Sequence, residues 1–156
     1  MSFLVTRRAV IDTITRACMA VSLGLVTDSL SPLSAHAASH RHTCRPAATT
    51  GPHPEPRPGI NASHMPPVEA VKAHPRAIAP FDEARTIPEV LDGIRCQCGC
   101  ASDAGFRSLL SCYEGGDAMA LDCDICQGEA RLAYRLHGEG RTLDQIRAAI
   151  DARYGG

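Results

Sequence analysis

Between Arg95 and Cys126 the chain reads Arg95-Cys96-Gln97-Cys98-Gly99-Cys100, then Cys112, then Cys123-Asp124-Ile125-Cys126. Six of its eight cysteines fall in that stretch. Cysteine used for packing behaves as one small apolar residue at a time. A Cys-x-Cys-x-Cys run followed by Cys-x-x-Cys therefore asks for a chemical reason, and the two clusters are expected to converge into one sulfur-lined pocket. Aromatic residues supply only 4% of the 156 positions and tryptophan is absent, so the core must be small and aliphatic. A folded part of roughly 70 residues is near the size at which metals or disulfides usually help.

Residues 1–37 read as an export signal. Arg7-Arg8 precede an apolar stretch from Ala17 to Val26, and small residues close it at Ala35-His36-Ala37. Those are the charged, apolar and A-x-A parts of a secretory leader. Thr6-Arg7-Arg8-Ala9-Val10-Ile11 also resembles a twin-arginine signal, a receptor-read address. Ser22, Thr27 and Asp28 interrupt a run already short for a membrane span. The protein is thus expected in the periplasm or outside the cell after cleavage near Ala37, with membrane contact only through an uncleaved signal. Cys18 would leave with the leader. Loss of Arg7, Arg8, Arg16, Asp12 and Asp28 leaves a mildly acidic chain. Without a basic run or an aromatic platform, nucleic acid is not an expected partner.

Residues 38–80 read as a disordered linker rich in proline and histidine, a composition that holds neither helix nor ladder. It carries His40, His42, Cys44, His53, His64 and His74. Either these are incidental residues on a solvated tether, or they collect transition metals weakly, since imidazole suits Cu, Ni and Zn. Cleavage after Ala37 would also leave Ala38-Ser39-His40, whose amine, backbone nitrogens and third-position imidazole suit a square-planar ion.

Residues 82–156 are expected to form an all-α domain, a small cysteine-rich bundle of three to four short helices. Asp82 to Ile94 reads as the first helix, apolar at Ile87, Val90, Leu91 and Ile94, with Pro88 early in it. Gly99 and its cysteines need a tight loop, after which Ser102 can cap a second helix through Cys112, apolar at Phe106, Leu109 and Leu110. Gly115-Gly116 break the chain. Asp122 can cap a third helix from Cys123 to about His137, with Ile125, Cys126, Ala130, Ala133 and Leu136 inward. Thr142-Leu143-Asp144-Gln145 is a capping box for a fourth, apolar at Leu143, Ile146, Ile150 and Tyr154.

Three chemistries fit six cysteines. Thiolates select a soft metal, copper(I) or zinc, and Cys96, Cys98, Cys100, Cys112, Cys123 and Cys126 are the candidate ligands. Six sulfurs overfill one four-coordinate zinc site, so a multinuclear copper(I) site, or one metal with one disulfide, suits the count. Alternatively the six pair into three disulfides, as exported compartments favour, and staple a protein-interaction module, although neighbours in Cys-x-Cys bridge only with strain. In the third reading Cys123 and Cys126 form a redox-active dithiol at a helix start. A metal ion is the first expected partner, with a metal-transfer or redox partner protein second. His137 is either a nearby ligand or a helix-end histidine. Asp122 and Asp124 read as cap and surface, and Arg95 either steadies a thiolate or ends the first helix. No Ser-His-Asp order, paired carboxylates or phosphate-cradling loop argues for an enzyme.

At Cys96-Gln97-Cys98-Gly99-Cys100, Cys112-Tyr113, Cys123-x-x-Cys126 and the closing helix to Tyr154, the chain resembles the PCYCGC-motif family of exported proteins and lipoproteins. Arg95 and Gln97 stand where that family has proline and tyrosine. The resemblance implies the cysteine framework without implying its chemistry. Cys123-Asp124-Ile125-Cys126-Gln127, followed by a helix, a glycine and Thr142…Ile146…Arg153-Tyr154-Gly155, is also similar to the thiol-oxidoreductase subunit of cytochrome c maturation. That similarity implies a small helical fold in which Cys123 and Cys126 reduce the disulfide-paired cysteines of a partner, becoming a disulfide in turn.

Overall fold

A computed structural model describes residues 51–155. The expected export signal, Cys18, Cys44 and the first part of the expected linker lie outside the described residues. The architecture is all-α. Its helices are α1 (Val68–Val71), α2 (Ile78–Thr86), α3 (Pro88–Asp92), α4 (Gly99–Asp103), α5 (Asp124–Gly138) and α6 (Leu143–Tyr154). Two 3-10 turns, Leu110–Tyr113 and Met119–Leu121, lie between α4 and α5, and the described residues contain no strand. Among the described residues no helix is long and apolar enough to cross a membrane.

The count exceeds the expected three to four helices because α1 falls within the expected linker and proline divides the expected first helix. The expected helix from Asp82 to Ile94 is α2 and α3, bent at Ile87, whose φ and ψ are −132° and 41°. Pro88 has no N–H to donate and pushes the residue before it out of helical geometry. The expected helix from Ser102 to Cys112 does not form. Ser102 sits inside α4, which ends before Gly105 at a φ of +68°, and Cys112 rides instead on a 3-10 turn. The expected third helix is α5, but its cap is Cys123 rather than Asp122: the Cys123 sulfur accepts from Cys126 N at 3.4 Å. The capping box at Thr142 is present in both directions. Thr142 Oγ1 accepts from Gln145 N at 3.3 Å, and Gln145 Oε1 accepts from Thr142 N at 3.1 Å.

Helix α5 is the central element, packed between α2 and α6. Ala130 and Ala133 let it approach closely, against Phe81 and Ala84 of α2 and Ile146 and Ile150 of α6, all fully buried. Leu91, Ile94, Leu109, Leu110 and Tyr113 belong to the same buried cluster as the cysteines.

The segment from Gly51 to Pro80 departs from the expected solvated linker. Met65, Val71, Ala77 and Pro80 are buried, and α1 and the start of α2 fall within it. Between Pro52 and Arg57 the chain lies along the domain as a strap. An extended proline-rich backbone makes no internal hydrogen bonds, so its carbonyls need outside donors. Arginine side chains supply them. Arg95 donates to Pro52 O through Nε at 3.1 Å and through its guanidinium terminus at 2.8 Å. Arg147 donates to Pro54 O at 2.7 Å, and Arg107 donates to Glu55 O. Further on, Arg85 donates to Pro66 O at 2.5 Å. The strap seats on Gly93, where an added Cβ would lie 2.8 Å from Leu143 Cδ2 and 2.9 Å from Pro56 Cγ. Gly93→Ala is therefore expected to cost about 1–3 kcal/mol by overpacking. A lower urea midpoint at unchanged slope would register that loss; an unchanged midpoint would mean the strap does not press on Gly93.

Candidate metal centre

Three separate segments deliver sulfur to one point. Cys96 and Cys98 come from the loop between α3 and α4, Cys112 from the 3-10 turn, and Cys126 from the first turn of α5. The loop is fixed where Leu109 N donates to Ile94 O at 2.7 Å, which places the Cys112 turn beside it. Tyr113, packed on Phe81 with ring centroids 4.7 Å apart, donates its hydroxyl to Cys126 O at 3.0 Å. That bond ties the turn to the tip of α5. Burial keeps the Tyr113 phenol protonated, with negative charge on the nearby cysteines acting in the same direction.

The Sγ atoms of Cys96, Cys98, Cys112 and Cys126 all lie within 4.8 Å of one another. Cys96 to Cys98 is 3.3 Å, Cys98 to Cys126 is 3.5 Å and Cys96 to Cys126 is 3.6 Å. These are contact distances, well beyond the ~2.05 Å of a disulfide. They approach the separation of about 3.8 Å that a tetrahedron of sulfurs has when each is ~2.3 Å from a central ion. Cys96 is 3% exposed and the other three are fully buried. The donor set is soft, converging and buried, and so could hold a soft metal ion.

The charge of the cluster is uneven. Cys98 is held far below the ordinary thiol range by hydrogen bonds from Cys112 first, then from Cys123, Cys126 and Cys96. Cys96 and Cys126 are held above it, chiefly through their contacts with Cys112. Negative charge thus settles on the Cys98 sulfur in preference to those of Cys96 and Cys126. A cation at the centre of the cluster would supply the charge that lets further sulfurs ionise.

Surrounding groups fix the orientation of the cysteine loop. Glu129, fully buried on α5, accepts from Cys96 Sγ at 3.0 Å and from Gln97 N at 2.7 Å. Burial pushes its carboxyl up to about 8 despite those two bonds. It therefore brings little negative charge of its own to the sulfurs at neutral pH. Gln97 reaches onward to Asp151 Oδ1 at 2.7 Å, linking the cysteine loop to α6. Asp151 in turn meets His53 Nε2 at 3.0 Å, while His53 Nδ1 accepts from Arg95 N at 3.0 Å. The second contact assigns the His53 proton to Nε2.

Cys123 is fully buried beside the four, in hydrogen-bond contact with Cys98 and Cys126. Cys100, partly exposed on α4, is not in the four-sulfur group. Arg95 holds the strap rather than a thiolate, and His137 occupies the last turn of α5 as a helix-end histidine. Asp122 meets His74 Nδ1 at 3.1 Å, and Asp124 lies in the first turn of α5. Among the described residues, His53, His64 and His74 join no ligand cluster. Sequence reasoning missed Glu129 and Met119. Glu129 stands three residues after Cys126, one helical turn along the same face, which is a usable signal; Met119 has none beyond lying four residues before Cys123.

Over residues 61–156 the chain matches a family model described as a protein of unknown function with PCYCGC motif. The match begins well before Asp82, inside the segment that packs onto the domain. No curated protein and no solved structure matches the chain.

Proposed function

From the premise that the chain belongs to the PCYCGC-motif family, we propose that it binds one soft metal ion, zinc or copper(I), through Cys96, Cys98, Cys112 and Cys126. The observation that carries this reading is the gathering of four buried Sγ atoms within 4.8 Å of one another. Packing alone does not call for four thiols in mutual contact, because sulfur is a weak hydrogen-bond partner. A soft cation at the centre replaces four weak S–H contacts with four metal–sulfur bonds.

A dithiol-exchange role for Cys123 and Cys126, as in the cytochrome c maturation resemblance, requires a sulfur that a partner can attack. Both are fully buried, and reactive cysteines sit in partly exposed surroundings. Burial therefore favours the metal over the exchange reading. The leader-like residues 1–37 support a setting outside the cytoplasm, with the ion either held or passed to a partner protein there. Amino-terminal sequencing of the mature protein is expected to begin at Ala38; a chain still starting at Met1 in the exported fraction would refute cleavage.

Metal analysis with thiol counting tests the main reading. Protein purified from its own compartment is expected to carry about one ion per chain, with its cluster thiols reactive only after denaturation and chelation. Cys98→Ser should lose the ion. Metal-free protein with its cluster sulfurs paired in disulfides would defeat the proposal.

A further inference from the structure

Met119 Sδ lies 3.9 Å from Cys98 Sγ. Among the soft donors touching Cys98 it differs in two respects: it is a neutral thioether, and it is partly exposed where Cys96, Cys112, Cys123 and Cys126 are buried. The turn that carries it is held firmly. Gln127 Nε2 donates to Ala120 O at 2.8 Å and to Leu121 O at 3.3 Å, and Asp122 N donates back to Met119 O at 3.3 Å. Cys123, which also touches Cys98, is fixed as the cap of α5, its sulfur at a helix N-terminus where the dipole favours thiolate.

We propose that Cys98, Cys123 and Met119 form a second soft-donor site, sharing the Cys98 sulfur with the four-cysteine site, that takes copper(I) and rejects zinc. This rests on the four-cysteine reading above and extends it. Cys98 touches three sulfurs of the first site, Cys96, Cys112 and Cys126, and also both of the added donors, Cys123 and Met119. A thiolate so placed bridges two ions. Two thiolates and a neutral thioether make a three-coordinate set whose complex with a monovalent ion carries one net negative charge. Thiolate and thioether sulfur select copper(I), whereas zinc asks for a fourth ligand and gains little from a thioether. Loading involves no electron transfer. Copper stays monovalent, and each thiol that becomes a ligand releases its proton to solvent. The exposed edge of Met119 gives the arriving ion its first soft contact.

The test uses the reduced full chain under anaerobic conditions, titrated separately with copper(I) delivered as its acetonitrile complex and with zinc(II). Wild type is expected to take up about two copper(I) but about one zinc(II) per chain. Met119→Leu, close in volume, should take up about one of each, with unchanged helical circular dichroism; Cys123→Ser should match it. A wild type that stops at one copper(I) while binding one zinc(II) would overturn this inference alone, as would a Met119→Leu protein that keeps two. A chain that binds neither ion would overturn this inference together with the reading beneath it.

Discussion

Zinc loading of the reduced protein is expected to raise its unfolding temperature by on the order of 20 °C, and excess chelator to reverse the rise. The four sulfurs belong to three segments, the α3–α4 loop, the Cys112 turn and the tip of α5. An ion held by all four exists only when those segments meet, so binding is linked to folding. With metal at a thousandfold excess over its dissociation constant, the native state gains about 4 kcal/mol by mass action. A domain of this size moves by roughly 4–8 °C per kcal/mol. The metal-free protein still has a core in Phe81, Leu91, Leu109, Ile146 and Ile150, so it is expected to remain folded at a lower midpoint. Cys112→Ser should lose most of the rise while keeping nearly the metal-free midpoint. Equal midpoints with zinc and with chelator would show that the sulfurs do not share an ion.

Asp92→Ala is expected to cost about 3 kcal/mol, in the range found when one partner of a buried ion pair is removed. The Asp92 side chain is fully buried between the strap and the domain. Its Oδ2 accepts from Arg57 N at 2.8 Å and Arg57 Nε at 3.1 Å, and its Oδ1 accepts from the Arg57 guanidinium terminus at 2.8 Å. Arg107 lies 3.0 Å from the same Oδ1, and Ser108 Oγ donates to it at 3.2 Å. Both arginines keep some access to water, which keeps the loss toward the lower end of the range. Burial works to raise the Asp92 carboxyl, but the Arg57 hydrogen bonds and the Arg107 charge hold it below its ordinary value. A carboxylate depressed in the folded state contributes stability above its unfolded pKa and loses it as pH falls through the folded one. Wild-type stability should therefore decline below about pH 4, and Asp92→Ala should lack that part of the decline. Protease should also cut the variant between Gly51 and Ile60 sooner than wild type. A variant with wild-type midpoint and wild-type cutting would show that the strap is seated without this carboxylate.

What the sequence disclosed follows the range of the interactions involved. The fourth helix was legible to the residue because its signal is local: Thr142 and Gln145 cap each other within one turn. The meeting of the cysteine clusters was legible as chemistry, since so many thiols in one stretch serve no ordinary packing role. The division at Ile87 was signalled by Pro88, yet the apolar spacing of Ile87, Leu91 and Ile94 runs through it and suggests one helix. The strap was opaque for a physical reason. Polyproline-like chain has no periodicity to detect, and its partners are remote, as with Pro54 and Arg147 at 93 residues' separation. The same remoteness hid the contact of Met119 with Cys98, which depends on how the Met119–Leu121 turn is pinned to α5.

The most direct test of the central claim is X-ray absorption at the zinc edge of the loaded, reduced chain. Four buried thiolates around one ion predict a first shell of about four sulfur neighbours at ~2.3 Å with no shorter nitrogen or oxygen contribution. A shell made mainly of nitrogen and oxygen would place the ion away from Cys96, Cys98, Cys112 and Cys126, and would contradict the account.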